Sequence, residues 1–232
     1  MAYKQKVQVQ GGTQTSGTGT TFGSSVAAGD LLIWEMINSS DASLVTPTDN
    51  QGNTWTLRVA NATSFIYVWD AVASSSGTLT VTSTKTGGGT IYVDQLGLNY
   101  GGPFTAGAYF DVATSAAAVG SVSSLAVGPI TTTGSADLLV GIIEGFGDPW
   151  TASAGFSQDL YLTSGFSNGN QAVDSATAIA AGSHTLTWTF NYATSSAYSA
   201  LLAYLTAAAA TTPRGWITQA DQPQDRIEII GY

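Results

Sequence analysis

The sequence predicts an all-β protein: an antiparallel, jelly-roll-like β-sandwich built from two pseudo-repeated halves and followed by an extended C-terminal arm. Three observations carry this. Apolar and hydroxyl-bearing residues alternate with period two in many short segments. No window of helical length keeps a 3.6-residue period, and Gly- or Ser-rich breaks at 74–77, 87–89 and 101–102 punctuate the chain. The chain also matches itself: Asp30-Leu31-Leu32 recurs as Asp137-Leu138-Leu139, and Thr78–Thr82 recurs as Thr185–Thr189, both at an offset of 107. Ala71-Val72-Ala73 answers Ala178-Ile179-Ala180 at the same spacing.

In chain order, Val7 and Val9 alternate with Gln8 and Gln10 as in a strand, and no apolar signal core precedes them. A cytoplasmic site of synthesis is therefore expected. LLIWEMI (31–37) and FIYVW (65–69) are apolar on both faces, which marks them as central strands covered from both sides. TWTLRV (54–59) alternates, with Trp55, Leu57 and Val59 expected on one face and Thr54, Thr56 and Arg58 on the other. IYVDQLGL (91–98) is aligned with YSALLAYL (198–205). GGPFTAGAYFDVATSAAAVG (101–120) joins the halves without the character of an independent hinge. One sandwich is thus expected over 1–206, with halves of about 1–106 and 107–206, rather than two small domains. In 185–190, Leu186, Trp188 and Phe190 should face inward and the threonines outward.

Composition excludes several classes of function. Only 9% of the chain is charged and its net charge is −9, so an acidic surface repels phosphate backbones and nucleic acid is not an expected partner. There is no cysteine and a single histidine, which removes disulfides and zinc sites of the usual kind. Apolar runs such as ALLAYL (200–205) are too short to span a bilayer. No cofactor or metal is expected.

Few side chains could do chemistry. A Ser-His-Asp triad would have to use His184, which reads more simply as a strand-edge residue in a turn. Glu35 and Glu144 lie near the ends of the matching strands 31–37 and 138–144, where a pseudo-twofold could pair them. That reading ranks below a structural one. Asp49, Asn50, Gly52 and Asn53 offer oxygen ligands to a hard cation but are also what a tight turn requires, and the turn is preferred. Trp150, with Phe146 and Tyr161 nearby, is expected in glycine-rich loops rather than strands, and these are the candidates for stacking on a sugar ring.

The segments GTTFGSSVAAGDLLIW (19–34), TDNQGNTWTL (48–57), IYVWDAVASSSGTLTVT (66–82) and GPITTTGSADLLVG (128–141), with GSHTLTWTF (182–190), resemble a loosely defined group of jelly-roll-like β-sandwich domains. These occur in phage virion proteins and bacterial surface proteins, and the resemblance spans roughly residues 5–206. It implies display, adhesion or particle decoration and supplies no catalytic residue. The implied partners are copies of the chain itself and other virion or surface proteins. The implied location is the virion, with an extracellular surface as alternative.

Residues 207–232 lie outside the resemblance and read as a spacer and docking arm. Trp216 and Ile217 form an apolar anchor, and RIEIIGY places Ile227 and Ile229 on one strand face before Tyr232. A strand that adds to a sheet edge, whether of its own sandwich or of a neighbouring chain, needs such alternation. The expected function is a non-enzymatic structural virion protein, a phage capsid-decoration or tail-associated component. The alternative is a carbohydrate-binding adhesin or fibre domain.

Overall fold

The computed structural model describes residues 1–14, 18–38, 43–61, 66–86, 91–145, 150–163 and 170–206. Among them there is no helix. The first half contributes β1 (Tyr3–Gln14), β2 (Thr18–Thr21), β3 (Leu31–Asn38), β4 (Ser43–Asp49), β5 (Thr56–Asn61), β6 (Ile66–Val72), β7 (Thr80–Thr86) and β8 (Ile91–Tyr100). The second contributes β9 (Phe110–Thr132), β10 (Asp137–Gly145), β11 (Trp150–Ala152), β12 (Ser157–Thr163), β13 (Asn170–Ile179) and β14 (Gly182–Tyr204).

In the first half, β1 pairs with β8, β2 with β7 and β3 with β6, all antiparallel. Such nested pairing is a long hairpin rolled up on itself, which is the jelly-roll winding expected from the sequence. It yields a larger sheet ordered β1-β8-β3-β6-β5 and a smaller one ordered β2-β7-β4. The second half repeats this with fewer, longer strands. β9 replaces β1 and β2, and β14 replaces β7 and β8. These two run antiparallel along most of their 23-residue lengths and pass from one layer to the next.

Alternation along the central strands explains the layering. Leu32, Trp34 and Met36 of β3 enter a core closed by Val81 of the small sheet and by Leu79 just before it. Leu139 and Ile143 of β10 enter the equivalent core with Leu186, Trp188 and Phe190, as expected for 185–190. The opposite faces meet each other: Leu31, Ile33, Ile66, Val68, Leu96 and Leu98 pack in one cluster with Leu138, Val140, Ile142, Val173 and Leu202. The first half thus encloses a core between two sheets, the second encloses one within a single six-stranded sheet ordered β11-β14-β10-β13-β12 with β9 paired to β14, and the larger sheets of the two halves share a third core between them. This is why 31–37 is apolar on both faces.

Three expectations need correction. The 101–120 segment is not only a connection, because β9 starts at Phe110. Its side chains are largely half-buried or exposed, so its alternation is faint in Ala, Ser and Val. The alignment of 91–98 with 198–205 is displaced by three residues: Leu31 faces Tyr100 and its counterpart Leu138 faces Tyr204, so LGLNY matches ALLAY. The cause is that β14 joins its two parts with three fewer residues than β7 and β8 use. Finally, Val59 does not share a face with Trp55 and Leu57. A bulge at Arg58 breaks the β5 ladder. Trp55 then enters the first-half core, Val59 the shared core, and Leu57 is 44% exposed.

Candidate functional site

The layer between the two larger sheets gathers the acids that sequence reasoning singled out. Glu35 follows Leu31 and Ile33 on the inter-sheet face of β3, and Glu144 follows Val140 and Ile142 on that of β10. Both are buried. Gln171 of β13 stands between them and donates from Nε2 to Glu35 Oε2 at 3.2 Å and to Glu144 Oε2 at 3.1 Å. Its own Oε1 accepts from Gln8 Nε2 of β1 at 3.1 Å. The pseudo-twofold does bring the two carboxylates together, and Glu35 does not reach a solvent rim. A glycosidase needs a sugar and a water between its acids. Here that place is taken by an amide, and the surroundings are packed side chains.

Two other polar contacts rim the same layer. Arg58, turned inward by the bulge, donates from Nε to both carboxylate oxygens of Asp70 at 2.9 Å, and its guanidinium lies 3.9 Å from the centre of the Phe110 ring. Burial pushes the Asp70 carboxyl up, against the opposing pull of Tyr109 and Arg58. Tyr100 donates to Asp159 Oδ2 across the halves at 2.7 Å, beside a cleft of about 480 Å³ lined by Tyr3, Ser157, Gln158 and Ser175. Burial, and next the Asp159 charge, raise the phenols of Tyr3 (to about 12) and Tyr100. At neutral pH both phenols stay protonated, and that of Tyr100 donates its hydrogen to Asp159 rather than accepting a proton.

The aromatic candidates divide, and the loop placement expected for them is corrected: Trp150 opens β11 and Tyr161 lies in β12. Trp150 is 3% exposed and meets Tyr161 and Phe190 edge-on, so its indole plugs the second-half core instead of offering a stacking face. One edge of it lines a cavity of about 230 Å³ with Phe156, Gln158 and Asp174. Asp174 is buried with Oδ1 lacking a hydrogen-bond partner, and burial, then the Asp159 charge, push it up to about 6. Phe146 lies outside the described residues, as do Trp216, Ile217, Ile227, Ile229 and Tyr232 of the arm.

The remaining motifs are structural. Asp49 Oδ1 accepts the N–H groups of Gln51 and Asn53, and Oδ2 accepts Trp55 Nε1 at 2.7 Å. Asn50 and Asn53 cap Thr80 N and Ser74 N. The oxygens a cation would need are thus turned onto backbone N–H groups and the Trp55 indole, as the turn reading expects. The His184 ring is held by Thr132 Oγ1 and the Ala180 carbonyl. A Gly-x-Ser-x-Gly spacing occurs at 165–169, outside the described residues. It connects the antiparallel strands β12 and β13, whereas a nucleophile elbow joins a strand to a helix. Among the described residues no group of three or more His, Asp or Glu side chains is arranged to hold a metal.

Sequence reasoning overlooked Gln171, Asp70 and Asp174. Asp70 had a signal, an acid inside the apolar run IYVWDAV with an arginine on the neighbouring strand. Gln171 had none, since a glutamine at a strand start reads as solvated. No protein-family model, curated protein or solved structure matches this chain.

Proposed function

We propose that this chain is a non-enzymatic structural protein of a phage particle, a capsid-decoration or tail-associated component that works through protein–protein contacts. The observation that carries this reading is the use made of Glu35 and Glu144. The convergent inward acids serve to join two sheets through Gln171, in a layer already filled by side chains. What the described surface offers outward is hydroxyl and amide groups: Thr185 and Thr189 on β14, Ser121, Ser123 and Ser124 on β9, and Thr21 bonded to Thr80 at 2.8 Å. Such surfaces bind by shape and backbone pairing. The resemblance of the strand-and-turn segments to phage virion domains supports the same reading. The test is sedimentation of the full chain, followed by its addition to particles lacking it. Self-association or saturable attachment is expected, and a monomer that attaches to nothing overturns the proposal.

A second reading, carbohydrate binding, has one observation in its favour: the cavity beside Trp150 with the Asp174 carboxylate at its wall. A glycan array probed with the full chain and with Asp174→Asn decides it. A signal that the substitution abolishes supports this reading, and a blank array ends it.

A further inference from the structure

The two halves solve one local problem in opposite ways. In the first, Asp30 immediately precedes β3 and is 2% exposed. Its carboxylate accepts Lys4 Nζ at 2.7 and 2.9 Å, Asn99 Nδ2 at 3.0 Å, and the N–H groups of Ala27 and Gly102. A buried charge is stable when it is matched in this manner. Asp137 opens β10 at the equivalent place and is 1% exposed. The register identifies its neighbours. Tyr3 opposes Tyr100 as Phe110 opposes Tyr204, and each ladder skips one residue immediately afterwards. The skipped residues are Lys4 and Asp111. By the same registers Asn99 becomes Ala203.

The ammonium of the first half is therefore a carboxylate in the second, and the amide is a methyl group. Neither oxygen of Asp137 has a hydrogen-bond partner. Gly134 stands where Ala27 stood, and its N–H eases the Asp137 charge without reaching hydrogen-bond geometry. Asp111 is held in place against it by Thr133, whose N–H and Oγ1 reach its two oxygens at 2.6 and 2.9 Å. His184, the other titratable neighbour, has its Nε2 engaged by Thr132 and Ala180.

We propose that Asp111 and Asp137 form a binding site for a hard divalent cation of the calcium type, at the position that the Lys4 ammonium fills in the first half. Two carboxylates balance a charge of two, and each Asp111 oxygen keeps a lone pair after its bond to Thr133. The donors are all oxygen, which favours calcium or magnesium over softer metals. Asp111 is half-buried and Thr133 exposed, so the ion has a route in from solvent. With two carboxylates and the remaining ligands from water, the affinity falls in the millimolar range of weak extracellular-type sites.

The experiment is thermal unfolding of the full chain at pH 7.5, with calcium chloride from zero to 10 mM and magnesium chloride in parallel. The wild type should gain about 3 °C at the highest calcium concentration and less with magnesium. Asp111→Lys recreates the first-half pair. It should unfold at a higher temperature than the calcium-free wild type and lose the calcium response. Asp137→Asn should also lose it. A wild type that ignores both cations overturns the proposal, and so does an Asp111→Lys variant that still responds to calcium. If Asp137→Asn does not fold, the lysine variant still decides.

Discussion

Trp34 and Trp188 show how two halves of different sequence fill cores of the same shape. In the first half Trp34 of β3 lies against Gly97 of β8. In the second half Gly141 occupies the position of Trp34, and the indole comes from the facing layer as Trp188. Gly97 is bare because it must be: a Cβ there would meet the Trp34 ring at 2.6 and 2.8 Å and Val7 Cγ1 at 2.8 Å. Overfilling a packed core costs about 1–3 kcal/mol. Gly97→Ala should lower stability by that amount in urea unfolding, and an unchanged midpoint would show that Trp34 has room to move. Asp174 makes a second prediction at this scale. Its folded-state value near 6 lies above that of the unfolded chain, so the folded state holds a proton the unfolded state has lost across that interval. Stability therefore falls as pH rises through this window, and the penalty is complete above it. Asp174→Asn should be more stable than wild type by about 1 kcal/mol at pH 7.5, with the advantage fading near pH 4. An advantage of equal size at both pH values would mean that the carboxyl titrates normally.

At the scale of elements, legibility followed burial. The strands covered on both faces, β3, β6 and β10, were evident because continuous apolar runs with matching flanks have few other solutions. The hydroxyl-and-apolar alternation of 185–190 was equally clear. β9 was not, because a half-exposed strand need not alternate strongly and its register is imposed by β14. The bulges were also silent, since nothing in TLRV says that Arg58 turns inward until Asp70 is seen opposite it. Another bulge gives a prediction with an unusual sign. Between Asp137 and Leu139 the β10–β13 pairing slips, and Ala178 takes a φ of 57°, the one non-glycine residue with positive φ among those described. This bulge brings Ile179 opposite Asp137 where Ala73 lies opposite Asp30, so the structural match of Ala178-Ile179-Ala180 to the first half is displaced by one residue from Ala71-Val72-Ala73. An L-residue in that region costs about 1 kcal/mol, which glycine avoids at some expense in chain entropy. Ala178→Gly should therefore stabilise by roughly 0.5 kcal/mol, where glycine in an ordinary strand position destabilises. A loss of stability would place the backbone outside the left-handed region.

For the whole molecule, the decisive feature is the core that the halves share. Leu31, Ile33, Leu96 and Leu98 on one side and Leu138, Val140, Ile142 and Leu202 on the other are covered by each other, so either half alone would open a continuous apolar sheet face to water. Sequence repetition revealed that there are two halves but not that they face one another, because a repeat offset says nothing about packing. The inter-sheet acids were legible as a pair on matching strands. Their neutral partner was not. Gln171 supplies both carboxylates with hydrogen from a single amide and passes the chain on to Gln8, so it links β3, β10, β13 and β1 in one buried network. Gln171→Ala would remove that donor while leaving both acids in the packed layer, at an expected cost of about 2–4 kcal/mol. Because the network spans both halves, the loss should appear in calorimetry as a downward shift of a single cooperative transition. A second transition separating from the first would mean that the halves unfold independently and that the shared core contributes little to holding them together.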